Sequence, residues 1–177
     1  EEQCATESIF GALAQAHENL LAVKIDGATK EEFVWGLRVG FITYGIKNGT
    51  EAAYKALEQK TGGAIRGCVS NVTHAGQSIV LKALSNPDFR SQQAEKVAIL
   101  RARALKTKEQ CELAEYADCW DVYPFNAGYF MCLRIKGVDA EALRVHLLDE
   151  HGLGTISLGK TDLRVAFSCL DEDQIAD

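Results

Sequence analysis

The stretch DGATKEEFVWGLRVG, residues 26–40, decides the fold class predicted for this chain. It joins two apolar runs that are typical of buried strands, and it carries two basic residues eight positions apart, Lys30 and Arg38. Gly36 and Gly40 stand on either side of the arginine. Because glycine lacks the Cβ that keeps other groups at a distance, this pattern predicts that the backbone here closely approaches a bound group.

Lys30 has two interpretations on chemistry alone. It follows a predicted buried strand, and the apolar residues Phe33, Val34 and Trp35 come soon after it. Such neighbours could desolvate its amine and prepare it for Schiff-base chemistry. The alternative is a solvated loop lysine, which is common in proteins of every class.

Two arginines stand at the start of predicted strands. Arg38 begins RVGFITYG, and Arg164 lies in DLRVAFS. A buried arginine in either place needs an anion or a carboxylate as its partner. An arginine on the solvent side of an edge strand is the alternative. Taken together, the two arginines suggest a ligand with two anionic groups.

The composition describes a globular chain without membrane or nucleic-acid features. The 177 residues are 47% hydrophobic and 25% charged, enough for one domain or two small ones. A net charge of -6 argues against binding to a phosphate backbone, and the apolar runs are far shorter than the roughly 20 residues that cross a bilayer. Six cysteines and four histidines show no metal-ligand spacing, which predicts reduced thiols, no metal site and a cytoplasmic location.

Helix and strand patterns alternate along the chain and predict an α/β fold. Asn86, Pro87 and Asp88 form a strong helix start, and we expect the long helix that follows to connect two domains. Helices are predicted over 8–16, 51–68 with a possible interruption at Gly62 and Gly63, 72–84, 86–104, 139–151 and from 171 onward; strands are predicted over 20–25, 38–45, 119–123, 128–136 and 163–170.

The segment GATKEEFVWGLRVG is similar to the active-site segment of the fold-type I pyridoxal-phosphate enzymes, the class I/II aspartate aminotransferase superfamily. In that family a lysine is followed eight residues later by an arginine in a G-x-R-x-G frame. PFNAGYFMCL and LRVAFS resemble its small-domain strand and its late arginine segment. The resemblance extends over essentially the whole chain, and it implies the end of the large domain at 1–86 and the small domain, with the long interdomain helix, at 87–177.

The resemblance also implies roles for individual residues. Lys30 would bind pyridoxal 5'-phosphate covalently and later move a proton at the substrate Cα. Arg38 would hold the cofactor phosphate. Gly27 stands where the family often has a phosphate-binding serine, so Thr29 is the nearby hydroxyl. Arg164 would bind the substrate α-carboxylate through two parallel hydrogen bonds.

In the resembling family, several cofactor-binding elements precede the lysine, whereas 29 residues precede Lys30 here. The resemblance therefore implies the C-terminal part of a longer, homodimeric aminotransferase, which would transfer an amino group between an amino acid and a 2-oxo acid. We expect this part to be inactive alone. The alternatives are a lyase or decarboxylase of the same fold, the aminotransferase-like effector domain of a transcription regulator, and an α/β interaction module without a cofactor.

Overall fold

The computed structural model describes residues 7–125 and 127–176. In this part of the chain, helices and strands are mixed, which confirms the predicted α/β class. The α-helices and β-strands are, in chain order, α1 (Phe10–Ala16), β1 (Leu21–Gly27), α2 (Ala28–Glu31), β2 (Gly40–Ile46), α3 (Glu51–Cys68), α4 (His74–Leu84), α5 (Phe89–Cys111), β3 (Trp120–Val122), β4 (Met131–Ile135), α6 (Ala140–His151), β5 (Ile156–Leu158) and β6 (Asp162–Val165).

The chain divides into two compact units within helix α5. The first unit extends to Gln93, and the second begins at Ala94. The sequence pattern placed a domain boundary slightly earlier, between Asn86 and Pro87, at the helix start. The helix itself begins at Phe89, and the Asn86 side chain accepts a hydrogen bond from the Asp88 N–H at 3.0 Å.

The first unit is built on an antiparallel pair of strands. β1 and β2 pair from Leu21 opposite Ile46 to Gly27 opposite Gly40. Helix α1 covers one face so closely that a Cβ added to Gly45 would lie 2.6 Å from the Ala14 Cβ. Because side chains alternate between the two faces of a strand, the face of β2 that carries Gly45 is the one that α1 covers.

The helices of the first unit begin where the sequence supplies a capping threonine. The Thr50 hydroxyl accepts from the Ala53 N–H at 3.2 Å and caps α3, and Thr73 caps α4 in the same way. Helix α3 continues without a break through Gly62 and Gly63, so the interruption suggested by these glycines does not occur. On its inner side, the Thr61 hydroxyl lies 2.5 Å from the Tyr44 hydroxyl of β2.

The second unit contains a four-stranded antiparallel sheet in the order β3-β4-β6-β5. One face of this sheet forms the core, together with residues of α5, α6 and the turn at Phe167–Cys169. The buried members are Met131, Leu133, Ile135, Ala140, Leu163 and Phe167. Strand β5 has three residues and was not predicted, because so short a segment shows no clear alternation.

Helix α6 begins and ends with strong local signals. The Asp139 carboxylate accepts hydrogen bonds from the N–H groups of Glu141 and Ala142, and the sequence predicted this end correctly. At the other end Gly152 has φ 65°, and the N–H groups of Gly152 and Leu153 donate to carbonyls of the last helical turn. This arrangement requires a residue that adopts a left-handed backbone without steric cost.

The segment that follows β6 is tied to helix α5. The Arg103 guanidinium lies 2.6 Å from the Asp171 carboxylate and 3.0 Å from the Ser168 carbonyl oxygen, and the Lys106 amine donates to the Glu172 carbonyl. The α-helix predicted from Asp171 onward is instead a 3-10 helix over Glu172–Ala176. Position 177, the last of that prediction, lies outside the described residues.

Replacing Gly152 with alanine should lower the free energy of unfolding of the second unit by about 1 kcal/mol, because alanine adopts a left-handed backbone at a steric cost. Gly154→Ala is the matched control, since Gly154 has no left-handed φ and a Cβ there meets no atom of the described residues within 4 Å. Urea denaturation of both variants measures the difference. Equal stabilities for the two variants would contradict the assigned role of Gly152.

Candidate functional site

Lys30 lies in the one-turn helix α2, directly after strand β1. The fully buried Ala28 starts this helix, and its N–H donates to the Val39 carbonyl at 3.1 Å. Thr29 is half-buried and Lys30 is exposed. The sequence placed Lys30 in a loop; the structure corrects this to a short helix, because the chain turns at once after the last strand pair.

The apolar residues after Lys30 do not bury it in the described part of the chain. Trp35 is 73% exposed, and Phe33 and Val34 are half-buried. Phe33 also has a φ of 55°, which is rare for a bulky residue. The expectation that these side chains desolvate the lysine is therefore not met here.

Arg38 occupies a turn rather than the start of a strand. Its backbone is left-handed, with φ 52° and ψ 46°, and its side chain is exposed. β2 begins two residues later at Gly40, and the buried residue of this segment is Val39. The predicted strand start at Arg38 is therefore wrong, and of the two interpretations of this arginine the exposed one fits, because the turn directs Val39 inward instead.

The two glycines around Arg38 behave differently. A Cβ added to Gly40 would lie 3.0 Å from the Asp26 carbonyl oxygen, so this glycine allows a close approach of β1 and β2 to each other. At Gly36 an added Cβ meets no described atom within 4 Å. The close approach at Gly40 is thus a contact within the chain. An approach to a bound group at Gly36 stays a prediction.

A small apolar cluster supports the segment between Lys30 and Arg38. Ala28 and Val39 pack with Val80 of α4, and Val34 and Leu37 lie against them. Helix α4 approaches through Gly76, where an added Cβ would lie 2.8 Å from the Leu37 carbonyl oxygen. The backbone just before Arg38 therefore rests directly on the backbone of α4.

The end of α2 is held by the first turns of α5. The Gln93 amide donates to the Glu31 carbonyl at 2.6 Å and to the Glu32 carboxylate at 3.0 Å. Arg90 lies 3.4 Å from the same carboxylate. These contacts fix the helix that carries Lys30 between β1 and α5.

Arg164 belongs to the second unit and lies in strand β6, as predicted for its segment. Its neighbours across the sheet are Cys132 of β4 and Ile156 of β5. The guanidinium carbon lies 4.3 Å from the centre of the Phe130 ring, a cation–π contact. Its Nε is buried and has no hydrogen-bond partner among the described residues.

A hydrogen-bonded aspartate stands two residues before Arg164, and sequence analysis missed it. The Tyr123 hydroxyl donates to Asp162 Oδ1 at 2.6 Å, and the Thr161 hydroxyl donates to Oδ2 at 2.8 Å. These two bonds hold the pKa of the Asp162 carboxyl below its usual value, with a smaller contribution from the charge of Arg134. The Tyr123 bond joins residues 39 positions apart, so no local sequence pattern could indicate it.

The opposite face of the same sheet borders an apolar cavity of about 570 Å³. Leu163 and Val165 line it, and Arg164 between them points to the other face. Burial raises the pKa of the Cys111 thiol, which also lines the cavity, so that thiol is held in its protonated, weakly nucleophilic form. The cavity is therefore separate from the predicted site residues.

The sequence matches a known protein family over nearly its whole length. The family of class I and II aminotransferases matches residues 11–177. The chain belongs to this aminotransferase family. The matched range includes the positions of Lys30, Arg38 and Arg164. No curated protein matches the sequence at a significant level.

Solved aminotransferases share the fold. An aminotransferase of Anaerococcus prevotii has a TM-score of 0.70 and 23% identity over 90% of this chain and 37% of its own. The aspartate aminotransferase of Thermotoga maritima has a TM-score of 0.62 and 19% identity over 87% of this chain and 37% of its own. The α-aminoadipate aminotransferase of Thermus thermophilus was solved with N-(5'-phosphopyridoxyl)-L-leucine. It has a TM-score of 0.65 and 20% identity over 87% of this chain and 39% of its own. The chain thus spans under two fifths of these aminotransferases.

In the described residues, no helix combines the length and the apolar character needed to cross a membrane. Within the same residues, no group of three or more His, Cys, Asp or Glu side chains is placed to hold a metal ion.

Gly76→Ala should lower the free energy of unfolding of the first unit by about 1–3 kcal/mol, because the new methyl group would push against the Leu37 carbonyl. Gly63→Ala in α3 is the matched control. A Cβ there meets no described atom within 4 Å, so the gain in helix propensity should raise stability by about 0.5–1 kcal/mol. Thermal denaturation distinguishes the two, and a stabilising Gly76→Ala would refute the close contact.

Proposed function

We propose that this chain is the lysine-bearing part of a pyridoxal-phosphate-dependent aminotransferase, which transfers an amino group between an amino acid and a 2-oxo acid. The observation that carries the proposal is the aminotransferase family match over residues 11–177, which contains Lys30, Arg38 and Arg164. Because the chain spans only 37–39% of the similar solved aminotransferases, the activity is assigned to the complete protein, as a homodimer.

The side chains around the end of the β1–β2 pair have the chemistry that pyridoxal phosphate requires. Lys30 offers an exposed primary amine for an aldehyde, while Arg38 and Thr29 offer a guanidinium and a hydroxyl for a phosphate. The Ala28–Val39 hydrogen bond brings the segments that carry them together. When bound, pyridoxal phosphate supplies the electron sink for reactions at the substrate Cα.

Lys30 has two tasks in this proposal. Its amine would hold the cofactor covalently, and the same amine would move a proton at the substrate Cα. The contacts of Arg90 and Gln93 with α2 support the second task, because a proton-transferring group must be held at hydrogen-bonding distance from its target.

Arg164 binds the substrate α-carboxylate in this proposal. Its Nε is buried without a described partner, and an arginine can satisfy two of its N–H groups with one carboxylate. The Phe130 ring supports the guanidinium through a cation–π contact at 4.3 Å. A carboxylate bound in this way fixes the orientation of the substrate relative to the reacting bond.

The experiment is a chimera in which residues 11–177 replace the equivalent part of the Anaerococcus prevotii aminotransferase. After borohydride reduction and peptide mapping, we expect the pyridoxyl label on Lys30. Lys30→Ala should reduce transamination about a hundredfold or more, because the general base is lost. The matched control is Lys24→Ala, which removes a lysine of β1 paired with Asp26 at 3.0 Å and should retain activity. A label on another lysine would refute the role of Lys30.

The 177-residue chain by itself should show no transamination above that of free pyridoxal phosphate. We infer this from the length that it lacks relative to similar aminotransferases. The measurement is amino-acid-dependent formation of a 2-oxo acid by the purified chain, with Lys30→Ala as the comparison. A Lys30-dependent rate would show that the chain needs no further part.

A further inference from the structure

Asp162 is the nearest carboxylate along the strand that carries Arg164. The two residues are separated by one position in β6, so their side chains leave the same face of the sheet, with Cα atoms about 7 Å apart. Long side chains reach across this distance. An ion pair between them would occupy the group that we assign to a ligand carboxylate.

Asp162 is nevertheless turned toward other partners. The Tyr123 hydroxyl occupies Oδ1 and the Thr161 hydroxyl occupies Oδ2. The cation that faces Asp162 from the neighbouring strand is Arg134, which pairs with it in register. Among the described residues, Arg164 makes no ion pair with Asp162, and its Nε has no hydrogen-bond acceptor.

We propose that Tyr123 and Thr161 are positioning residues that hold Asp162 away from Arg164 and so keep the guanidinium available for a ligand carboxylate. The identity of the ligand rests on the proposed function, whereas the restraint on Asp162 does not. Tyr123 follows β3 directly, and its N–H donates to the Cys132 carbonyl at 3.3 Å. Its hydroxyl therefore crosses strand β4 to reach β6 on the face that carries Arg164.

The physical basis is competition between an internal and an external carboxylate. An aspartate on the same strand is always present, so pairing with Arg164 would reduce the fraction of the arginine that is free for a ligand. The two hydroxyls weaken this competitor, because Asp162 would have to give up its bonds to Tyr123 and Thr161 in order to turn toward Arg164. Phe130 acts in the same direction, because the guanidinium already has a favourable position over the ring.

The test measures the reactivity of Arg164 in the full chain with phenylglyoxal, which modifies arginines. The rate of modification at Arg164 is determined by peptide mapping and divided by the rate at Arg66. Arg66 belongs to helix α3 of the first unit, and its guanidinium donates a hydrogen bond to the Ser70 hydroxyl. In the variant Tyr123→Phe with Thr161→Val, Asp162 is released. Pairing with Asp162 should slow the modification of Arg164 about two- to fivefold, the effect of an exposed ion pair.

Adding Asp162→Asn to that variant should restore the wild-type rate, because the competing charge is gone. A loss of packing alone would not be reversed in this way. The proposal is overturned if the released variant reacts as fast as wild type or faster, or if the slow rate persists after Asp162→Asn.

Asp162→Asn in the wild-type background provides an independent measurement if the released variant does not fold. An unchanged rate at Arg164 supports the proposal, since Asp162 is already held away. A faster rate overturns it, because Asp162 would then be pairing with Arg164 in the wild type. These measurements need neither cofactor nor turnover. If they succeed and Arg164→Ala leaves substrate affinity of the chimera unchanged, the substrate assignment fails and the positioning of Asp162 stands.

Discussion

The hydrogen bond from the Ala28 N–H to the Val39 carbonyl is the contact on which the first unit's candidate site depends. It lies one step beyond the last strand pair, Gly27 with Gly40, in a region closed to solvent by Val80. A buried amide without an acceptor costs about 1–3 kcal/mol, so the two segments separate only at considerable cost. Thr29 directly follows Ala28, and Arg38 directly precedes Val39. Their proximity is thus a consequence of pairing two backbone groups rather than of any attraction between their side chains.

In the second unit, the alternation of side chains along strand β6 determines which residues face the core and which face away from it. Leu163 and Val165 enter the core, so Asp162 and Arg164 must leave on the other face. A shift of the strand by one residue would bury both charges and expose the apolar pair, which makes the register of β6 strongly specified. The polar face can therefore carry residues chosen for binding, because the packing of the opposite face already determines where they point.

The sequence predicted the parts of the fold that have local causes. Asp139 and Gly152 bound α6 because capping depends on residues within one turn of the helix end. The apolar runs predicted β1 and the first half of the strand expected over 163–170; the structure ends β6 at Val165 and continues with a 3-10 helix over Phe167–Cys169. The turn at Arg38 was missed because a left-handed backbone at a non-glycine residue is imposed by packing, here by Val39 entering the core.

The lysine and the two arginines of the candidate site were recognised from a motif, but their surroundings were not. Trp35 was expected to desolvate Lys30 and is instead mostly exposed in the described chain. Tyr123 and Asp162 were not considered, since their contact exists only after β3, β4 and β6 have paired. Residue types can be read from a sequence, whereas the partners that orient them depend on which strands become neighbours.

The close contact at Gly76 limits which amino acids can replace this residue during evolution. Every single-base change in a glycine codon that specifies a different amino acid adds a Cβ, and at this position a Cβ meets the Leu37 carbonyl at 2.8 Å. The genetic code therefore offers no mild replacement there. At the exposed Gly63 in helix α3, by contrast, a Cβ meets no described atom within 4 Å, so a single-base change there causes no steric clash at the Cβ. Substitutions at the two glycines therefore carry very different costs, because a Cβ at Gly76 meets the Leu37 carbonyl oxygen and the Cγ2 methyl groups of Thr73 and Val39, whereas one at Gly63 meets no described atom within 4 Å.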